Sequence, residues 1–253
     1  MGTRLRSQKR GHGSPVYQAP SHRYFADVMY PKSPAATQVG QALRLIDDVG
    51  RHPLLAEFIR EDGTKFYNIA PEGLFVGSRI EIGPESTPHA LAIGSIHPLN
   101  SIPDGTSVYN LELRPGDGGK LCRSAGAVAY VVAHNEDNGN VTILLASKQT
   151  KILKGACRAT VGVACGGGRL EKPLMKAGNA FYKMHATNRM WPFVRGTAMA
   201  AYDHPHGGKS LGKPNTVSRS TPPGRKTGSV AAARTGRRRG KRQAEQSAQQ
   251  LNS

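Results

Sequence analysis

The densest group of chemically versatile side chains lies at Asp203, His204 and His206, which fall within four positions of a DHPHGG run. Neutral imidazole and carboxylate groups are common zinc ligands, and a histidine with a near-neutral pKa can also act as a general base. The sequence has no second ligand cluster and no recognisable nucleophile beside them. The run therefore favours a structural interpretation, in which a proline- and glycine-restricted segment folds rigidly against a partner and its imidazoles hydrogen-bond or stack.

Two glycine-rich stretches could bring backbone N–H groups close to a phosphate. They cover residues 114–120 (RPGDGGK) and 165–169 (CGGGR). Neither has the Gly-x-x-x-x-Gly-Lys-Ser/Thr spacing of a nucleotide-binding loop, and glycine also serves simply to turn the chain. We interpret both as backbone turns, an interpretation that is compatible with contact to a polynucleotide.

The cysteine content excludes two further classes of site. Cys122, Cys157 and Cys165 are odd in number and include no Cys-x-x-Cys pair, so they predict neither a disulfide framework nor a zinc knuckle. The sequence thus predicts no catalytic residue, no metal and no cofactor, in a reducing cytoplasm. The basic first ten residues are not followed by the apolar segment of a secretory signal, and no apolar run is long enough to predict a membrane span.

The positive charge is concentrated at the two ends of the chain. The 253 residues include 35 Lys and Arg against 17 Asp and Glu, a formal net charge of +18. Residues 1–34 hold six basic residues and one acidic residue, residues 209–253 hold eleven and one, and the body between them is almost neutral. Both arms are rich in Gly, Ser, Pro and Thr, a composition that predicts disorder in free solution and ordering on a polyanion. Nucleic acid is the expected partner.

The body reads as two groups of short strands. The first group is predicted at residues 42–46, 54–59, 65–69 and 79–82, with a hairpin turn at Glu61-Asp62-Gly63. The second group is predicted at residues 107–113, 127–134, 141–145, 151–153 and 159–163, with a turn at Asp137-Asn138-Gly139. Such closely spaced strands predict a mainly β protein built from two small barrels rather than a βαβ sheet.

A short helix is predicted within residues 173–188, where apolar residues recur at roughly helical spacing. Lys172, Lys176, Lys183 and Arg189 either contact phosphate or form a solvated helix face. Trp191, Phe193 and Tyr202, just beyond, either stack on bases or pack within the protein.

The ordered motifs of this chain resemble those of the universal large-subunit ribosomal protein family L-two, in its archaeal or eukaryotic form. The resemblance runs from about residue 4 to residue 239. It rests on these segments: 6–14 (RSQKRGHGS), 115–119 (PGDGG), 121–126 (LCRSAG), 157–159 (CRA), 166–169 (GGGR), 172–174 (KPL), 176–178 (KAG), 195–199 (RGTAM) and 203–208 (DHPHGG). The last two, in this order, are the most specific. Ala200-Ala201 departs from the Asn-Pro usual in the family, and residues 243–253 match nothing.

The resemblance implies an OB-like barrel followed by an SH3-like barrel, with extended basic N- and C-terminal arms. The corresponding division is a basic extension at 1–34, the OB-like barrel at 35–100, the SH3-like barrel at 101–170 and an RNA-threading extension at 171–253. The motifs and the basic tail together predict fifteen RNA-binding residues: Lys9, Arg10, His12, Arg123, Arg158, Arg169, Lys172, Lys176, Arg195, Asp203, His204, His206, Arg237, Arg238 and Arg239.

The function implied is that of a structural component of the cytoplasmic large ribosomal subunit. Its partners would be large-subunit rRNA, neighbouring ribosomal proteins and, through an intersubunit contact, the small subunit, with support for the peptidyl-transferase region but no catalysis. Two alternatives stay open on the residues alone. The basic arms permit a generic, chromatin-like nucleic-acid binder, and Asp203, His204 and His206 permit a metal-assisted hydrolase.

Overall fold

The computed structural model describes residues 3–32, 34, 36–84, 91–135, 138–209 and 216–231. The chain forms two units, one of residues 19–188 and the other of residues 1–18 together with residues 189–253. The elements are mainly β, as the strand spacing predicts. No helix within the described ranges is long and apolar enough to cross a membrane.

Ten strands of the unit at residues 19–188 form one sheet. In chain order they are β1 (Gln38–Ile46), β2 (Leu55–Arg60), β3 (Lys65–Ile69), β4 (Arg79–Ile82), β5 (Ile96–Pro98), β6 (Ser107–Tyr109), β7 (Ala129–Asn135), β8 (Asn140–Leu144), β9 (Thr150–Lys154) and β10 (Arg158–Val161). The order across the sheet is β3-β2-β1-β4-β5-β10-β6-β7-β8-β9. Neighbours pair antiparallel, except for a parallel contact between Ile82 and Ile96 that joins β4 to β5. Local hairpins therefore build both ends of the sheet. Strand β10 lies between β5 and β6, and its long-range pairing with both joins the first half of the sheet to the second.

Each predicted strand coincides with an observed one to within a few residues, with two informative differences. β6 ends at Tyr109 although the prediction extended to residue 113, because Asn110 has a φ of 50° and cannot continue an extended strand. β5 was missed because it is only three residues long and ends in proline. The predicted helix is present as α2 (Ala177–Ala186).

The predicted Asp-Gly hairpin turn joins β2 to β3. Gly63 has a φ of 78°, a conformation that favours glycine. The Asp62 carboxylate accepts the backbone N–H of Thr64 at 2.8 Å, and hydrogen bonds from Thr64 hold the pKa of this carboxyl below its usual value. In the second predicted turn Gly139 has a φ of 59°, while Asp137 lies outside the described residues.

Three apolar clusters fill the interior of this unit. The first is built on β6 to β10 and includes Val131, Ile143 and Val161, and the second is built on β1 to β5 and includes Phe58. A third cluster includes Leu55 from the first half of the sheet together with residues of the second half. The two halves of the sheet thus have cores of their own and a shared one between them.

Part of the segment assigned to a basic N-terminal extension contributes to this interior. Val28 and Tyr30 are 3% and 6% exposed, and each belongs to one of the clusters. The Tyr30 hydroxyl lies between the carbonyl of Asn110 and the hydroxyl of Thr160, 2.5 and 2.7 Å away. The average composition of residues 1–34 is basic and polar, so it does not indicate that these two residues are buried.

The second unit combines the first residues of the chain with residues from 189 onward. It contains helix α1 (Arg6–His12), which ends at Gly13 with a φ of 73°. The backbone N–H of Thr3 donates to the carbonyl of Tyr202 at 3.0 Å, and Val217 pairs in parallel with Val230. Helix α1 was not predicted, since a seven-residue basic segment with one buried neighbour, Leu5, has no apolar periodicity.

Candidate nucleic-acid interface

The histidine segment, residues 203–208, is held by its own hydrogen bonds. The Nδ1 atom of His204 accepts the backbone N–H of His206 at 3.0 Å, so the ring proton of neutral His204 resides on Nε2. That Nε2 lies 3.4 Å from the Thr227 hydroxyl oxygen, and the two imidazole rings pack edge to face with centroids 4.9 Å apart. Asp203 accepts the hydroxyl of Thr3 at 2.7 Å. Both His204 ring nitrogens are thus engaged inside the protein.

The electrostatics of this segment favour a neutral His204. Partial burial, followed by electrostatic interaction with His206 and Arg6, lowers the pKa of His204 below its ordinary value. Among the described residues, no group of three or more His, Cys, Asp or Glu side chains is arranged to hold a metal ion. The hydrogen bonds at both ring nitrogens suit a structural role for His204.

Two glycines fix the position of the histidine segment. A Cβ atom on Gly196 would lie 2.3 Å from the His204 ring, and one on Gly207 would lie 2.3 Å from the carbonyl oxygen of Ala200. Gly208 donates its N–H to the carbonyl of Met199 at 3.2 Å. The RGTAM and DHPHGG motifs consequently form one packed structure, which explains physically why they belong together.

The glycine-rich loop at residues 114–120 turns its N–H groups inward. The buried carboxylate of Glu112 accepts the N–H of Gly116 at 3.2 Å and that of Gly118 at 3.1 Å. Asp117 accepts the N–H groups of Arg114, at 3.2 Å, and Leu113, at 3.1 Å. These donors are satisfied by carboxylates of the protein itself, so the prediction of a backbone turn is confirmed.

Arg158 also binds Glu112, which is unexpected for a residue predicted to contact RNA. Its guanidinium donates to Glu112 at 2.9 Å and to the carbonyl of Pro31 at 2.6 Å, and its side chain is 11% exposed. The same guanidinium lies 5.2 Å from the centre of the Tyr30 ring. Arg158 thus ties the N-terminal segment to the sheet, and its charge is neutralised within the protein.

Arg123 has a similar internal role. Its guanidinium donates to the carbonyls of Gly119, at 3.0 Å, and Val28, at 3.2 Å. Burial, followed by the nearby charge of Arg51, lowers the pKa of Arg123 below its ordinary value. Arg123 and Arg158 therefore both hold residues 28–31, through bonds to the carbonyls of Val28 and Pro31.

The other predicted cations differ from Arg123 and Arg158 in their exposure and in their partners. Five of them are exposed and have no ion pair among the described residues: Lys9, Arg10, Lys172, Lys176 and Arg195. His12 is exposed at the end of α1, and Arg169 is half-buried with an Nε atom that has no hydrogen-bond partner in the described structure. Arg237, Arg238 and Arg239 lie outside the described residues. Exposed, unpaired cations of this kind suit a polyanionic partner.

Comparison with known proteins identifies the family. Residues 92–227 match the family described as Ribosomal Proteins L2, C-terminal domain. The large ribosomal subunit protein uL2 of Hyperthermus butylicus is 48% identical over 243 residues, covering 94% of this chain and 100% of that protein. The chain belongs to the uL2 family. The uL2 proteins of Desulfurococcus amylolyticus and Methanococcus vannielii are 47% and 46% identical, with 95% and 94% of this chain and 100% of each relative covered.

Membership of the uL2 family confirms the resemblance seen in the motifs. The structure also reveals features that the motifs did not. Phe193 is 63% exposed and carries the guanidinium of Arg6 3.3 Å above its ring, and Tyr202 is 68% exposed. Glu112, which organises the glycine-rich loop and Arg158 together, was not singled out. An acidic residue two positions before a glycine-rich turn was the available signal.

Proposed function

We propose that this protein is a structural component of the cytoplasmic large ribosomal subunit that binds and organises large-subunit rRNA. The observation that carries the proposal is its 46–48% identity, over nearly the full length, to three proteins named large ribosomal subunit protein uL2. The net charge of +18 and its concentration at the two ends of the chain support an RNA partner. Neighbouring ribosomal proteins and an intersubunit contact with the small subunit complete the proposed set of partners.

The proposed RNA contacts fall into two classes. Exposed cations such as Lys9, Arg10, Lys172 and Arg195 would neutralise phosphates, and the tail that carries Arg237, Arg238 and Arg239 would thread between RNA segments. His204 and Asp203 would act indirectly, by holding a rigid surface. The division into OB-like and SH3-like barrels at 35–100 and 101–170, with extensions at 1–34 and 171–253, belongs to the same proposal.

The protein would support the peptidyl-transferase region without catalysing a reaction. A general base needs a ring nitrogen that can reach the substrate proton. The Nδ1 atom of His204 instead accepts the N–H of His206 at 3.0 Å, and its Nε2 faces Thr227. Catalysis in that region would accordingly belong to the RNA.

A deletion of the basic tail tests the proposal. Removal of residues 209–242, which hold eleven Lys and Arg, is expected to weaken binding to large-subunit rRNA fragments and to flatten its dependence on salt. A matched control removes residues 243–253, which contain only one charged residue, Glu245. Unchanged affinity and unchanged salt dependence after removal of residues 209–242 would contradict the proposal.

The alternative of a generic polyanion binder is separated by competition. A ribosomal role predicts that unlabelled large-subunit rRNA fragments displace a bound rRNA fragment at much lower concentration than duplex DNA of equal phosphate content. Equal competition by the two polymers would favour the alternative. Co-sedimentation of the full chain with large ribosomal subunits, and its release only at high salt, provides the second readout.

A further inference from the structure

A cleft of about 320 Å³ lies in the unit formed by the two ends of the chain. It is lined by residues that precede, form and follow helix α1, together with Met190 from the later part of the chain. This volume lies at the lower end of the range of small-molecule sites in proteins. It shares Arg4 with the cleft beside the histidine segment, whose lining includes residues 201–207.

The cleft has an apolar floor. Val16, Tyr17 and Met190 line it, and the Tyr17 hydroxyl donates to the Sδ atom of Met190 at 3.5 Å, which joins the two ends of the floor. Val16 is 52% exposed and Met190 is 46% exposed, so these apolar groups remain accessible. An open aromatic and apolar surface of this size can accept one flat ring by stacking.

The rim of the cleft is cationic. Arg4, Lys9 and His12 line it beside the apolar floor. Arg4 and Lys9 are exposed, and neither forms an ion pair with a carboxylate among the described residues. The combination of an apolar floor with unpaired cations at its edge matches a ligand that joins a flat, weakly polar ring to a phosphate.

We propose that this cleft binds one unstacked nucleotide of single-stranded RNA, with its base on Tyr17 and Met190 and its phosphates against Arg4 and Lys9. Unstacked bases are the usual targets of aromatic side chains in RNA recognition, whereas a base inside a duplex has no free face to offer. The inference deepens the proposed rRNA binding and rests on it. It adds a pocket for a base to a surface that otherwise contacts phosphate.

The test compares two probes of equal charge on the purified full chain. One probe is a twelve-residue oligouridylate, and the other is an abasic ribose-phosphate chain of the same length. We expect Tyr17→Ala to weaken oligouridylate binding about tenfold, the size of one lost base-aromatic stack, and to leave abasic binding unchanged. Tyr17→Phe, which retains the ring, should bind both probes as the unmodified chain does. The matched control is Phe75→Ala, because Phe75 is a 69% exposed aromatic residue of the other unit.

The same preparation reveals where the base lies. Replacement of one uridine by 5-iodouridine and irradiation should give a cross-link to Tyr17 that mass spectrometry locates. Equal weakening of both probes by Tyr17→Ala, or no weakening of either, would overturn the inference, because it would leave only phosphate contacts. Either outcome would overturn only the inference about the cleft, because the chain could still bind rRNA fragments through phosphate contacts. Failure of the full chain to bind rRNA fragments would overturn the proposed function itself.

Discussion

Gly196 lies directly beneath the imidazole of His204, so close that a Cβ atom on residue 196 would fall 2.3 Å from the ring. The two residues belong to separate motifs of the sequence, and their contact makes one packed unit of the turn at residues 195–199 and the histidine segment. The ring position that Gly196 allows also sets the hydrogen bond from the His206 N–H to His204.

Gly196→Ala should therefore disrupt the histidine segment. The added methyl group displaces the His204 ring, and overpacking of this kind costs about 1–3 kcal/mol. We expect hydrogen exchange at the His206 amide, measured by NMR, to accelerate at least about tenfold. Gly178→Ala is the control, since a Cβ on Gly178 meets nothing within 4 Å and alanine favours the helix α2. An unchanged exchange rate in Gly196→Ala would contradict the packing argument.

Glu112→Gln should destabilise the unit at residues 19–188. The substitution removes the charge that neutralises the 11% exposed Arg158, and breaking a buried ion pair costs about 3–5 kcal/mol. Chemical denaturation followed by circular dichroism measures the loss. Asp104→Asn serves as the control, because Asp104 is 56% exposed and its pair with His134 lies near the surface, where an ion pair contributes about 1 kcal/mol or less. Equal effects of the two substitutions would show that burial of the Arg158–Glu112 pair does not matter.

Acid should weaken the fold through His97. Its side chain is fully buried, its Nδ1 donates to the carbonyl of Gly83 at 3.2 Å, and burial lowers the pKa of His97 below its ordinary value. Below about pH 6.5 the unfolded chain therefore binds a proton that the folded chain resists, so stability falls as the pH decreases, and this contribution is fully present above pH 6.5.

The measurement is the thermal unfolding midpoint at pH 7.5 and pH 5.5. His97→Asn keeps a side-chain N–H donor and should reduce the loss of stability at pH 5.5. His22→Asn, at an exposed histidine, should leave the pH dependence as it is. An identical pH dependence in His97→Asn and the unmodified chain would exclude His97 as the source.

Exposed and internally paired cations should differ in their effect on RNA binding. Lys172→Ala with Lys176→Ala removes two exposed cations, and we expect the slope of log affinity against log salt to fall by about one to two. Arg60→Ala removes a cation that is bound to Asp62 at 3.0 Å and should leave the slope unchanged. Titration of an rRNA fragment at several salt concentrations gives both slopes, and a slope unaffected by the double substitution would remove these lysines from the interface.

Local sequence patterns sufficed for most of the strands and for the turns between them. Two short strand-like segments and the Asp62-Gly63 pair predicted the β2–β3 hairpin, because short apolar runs and turn residues are visible among neighbouring residues. Local patterns did not predict β5 or α1, because both elements are too short to show a repeating spacing of apolar residues. Asn110 likewise ended β6 early through a positive φ that its residue type permits but does not require.

The roles of single charged residues could not be predicted in the same way. Charge type and motif placed Arg158 and Lys176 in one class of RNA contacts, yet the first is held by Glu112 and the second is exposed. A basic side chain carries the same formal charge in both settings. Only the acceptors that folding brings near, such as the Glu112 carboxylate beside Arg158, distinguish a structural guanidinium from a free one.

The amino-acid sequence alone determined the mainly β class, the concentration of charge at the chain ends and the family, because composition, short-range periodicity and ordered motifs are readable along one dimension. The tertiary structure decided which charged side chains are paired inside the protein. Arg158 meets Glu112 across 46 positions and Pro31 across 127, and His204 rests on Gly196. Such contacts depend on how β10 pairs with β5 and β6 and how the two ends of the chain pack, and no local pattern encodes that geometry.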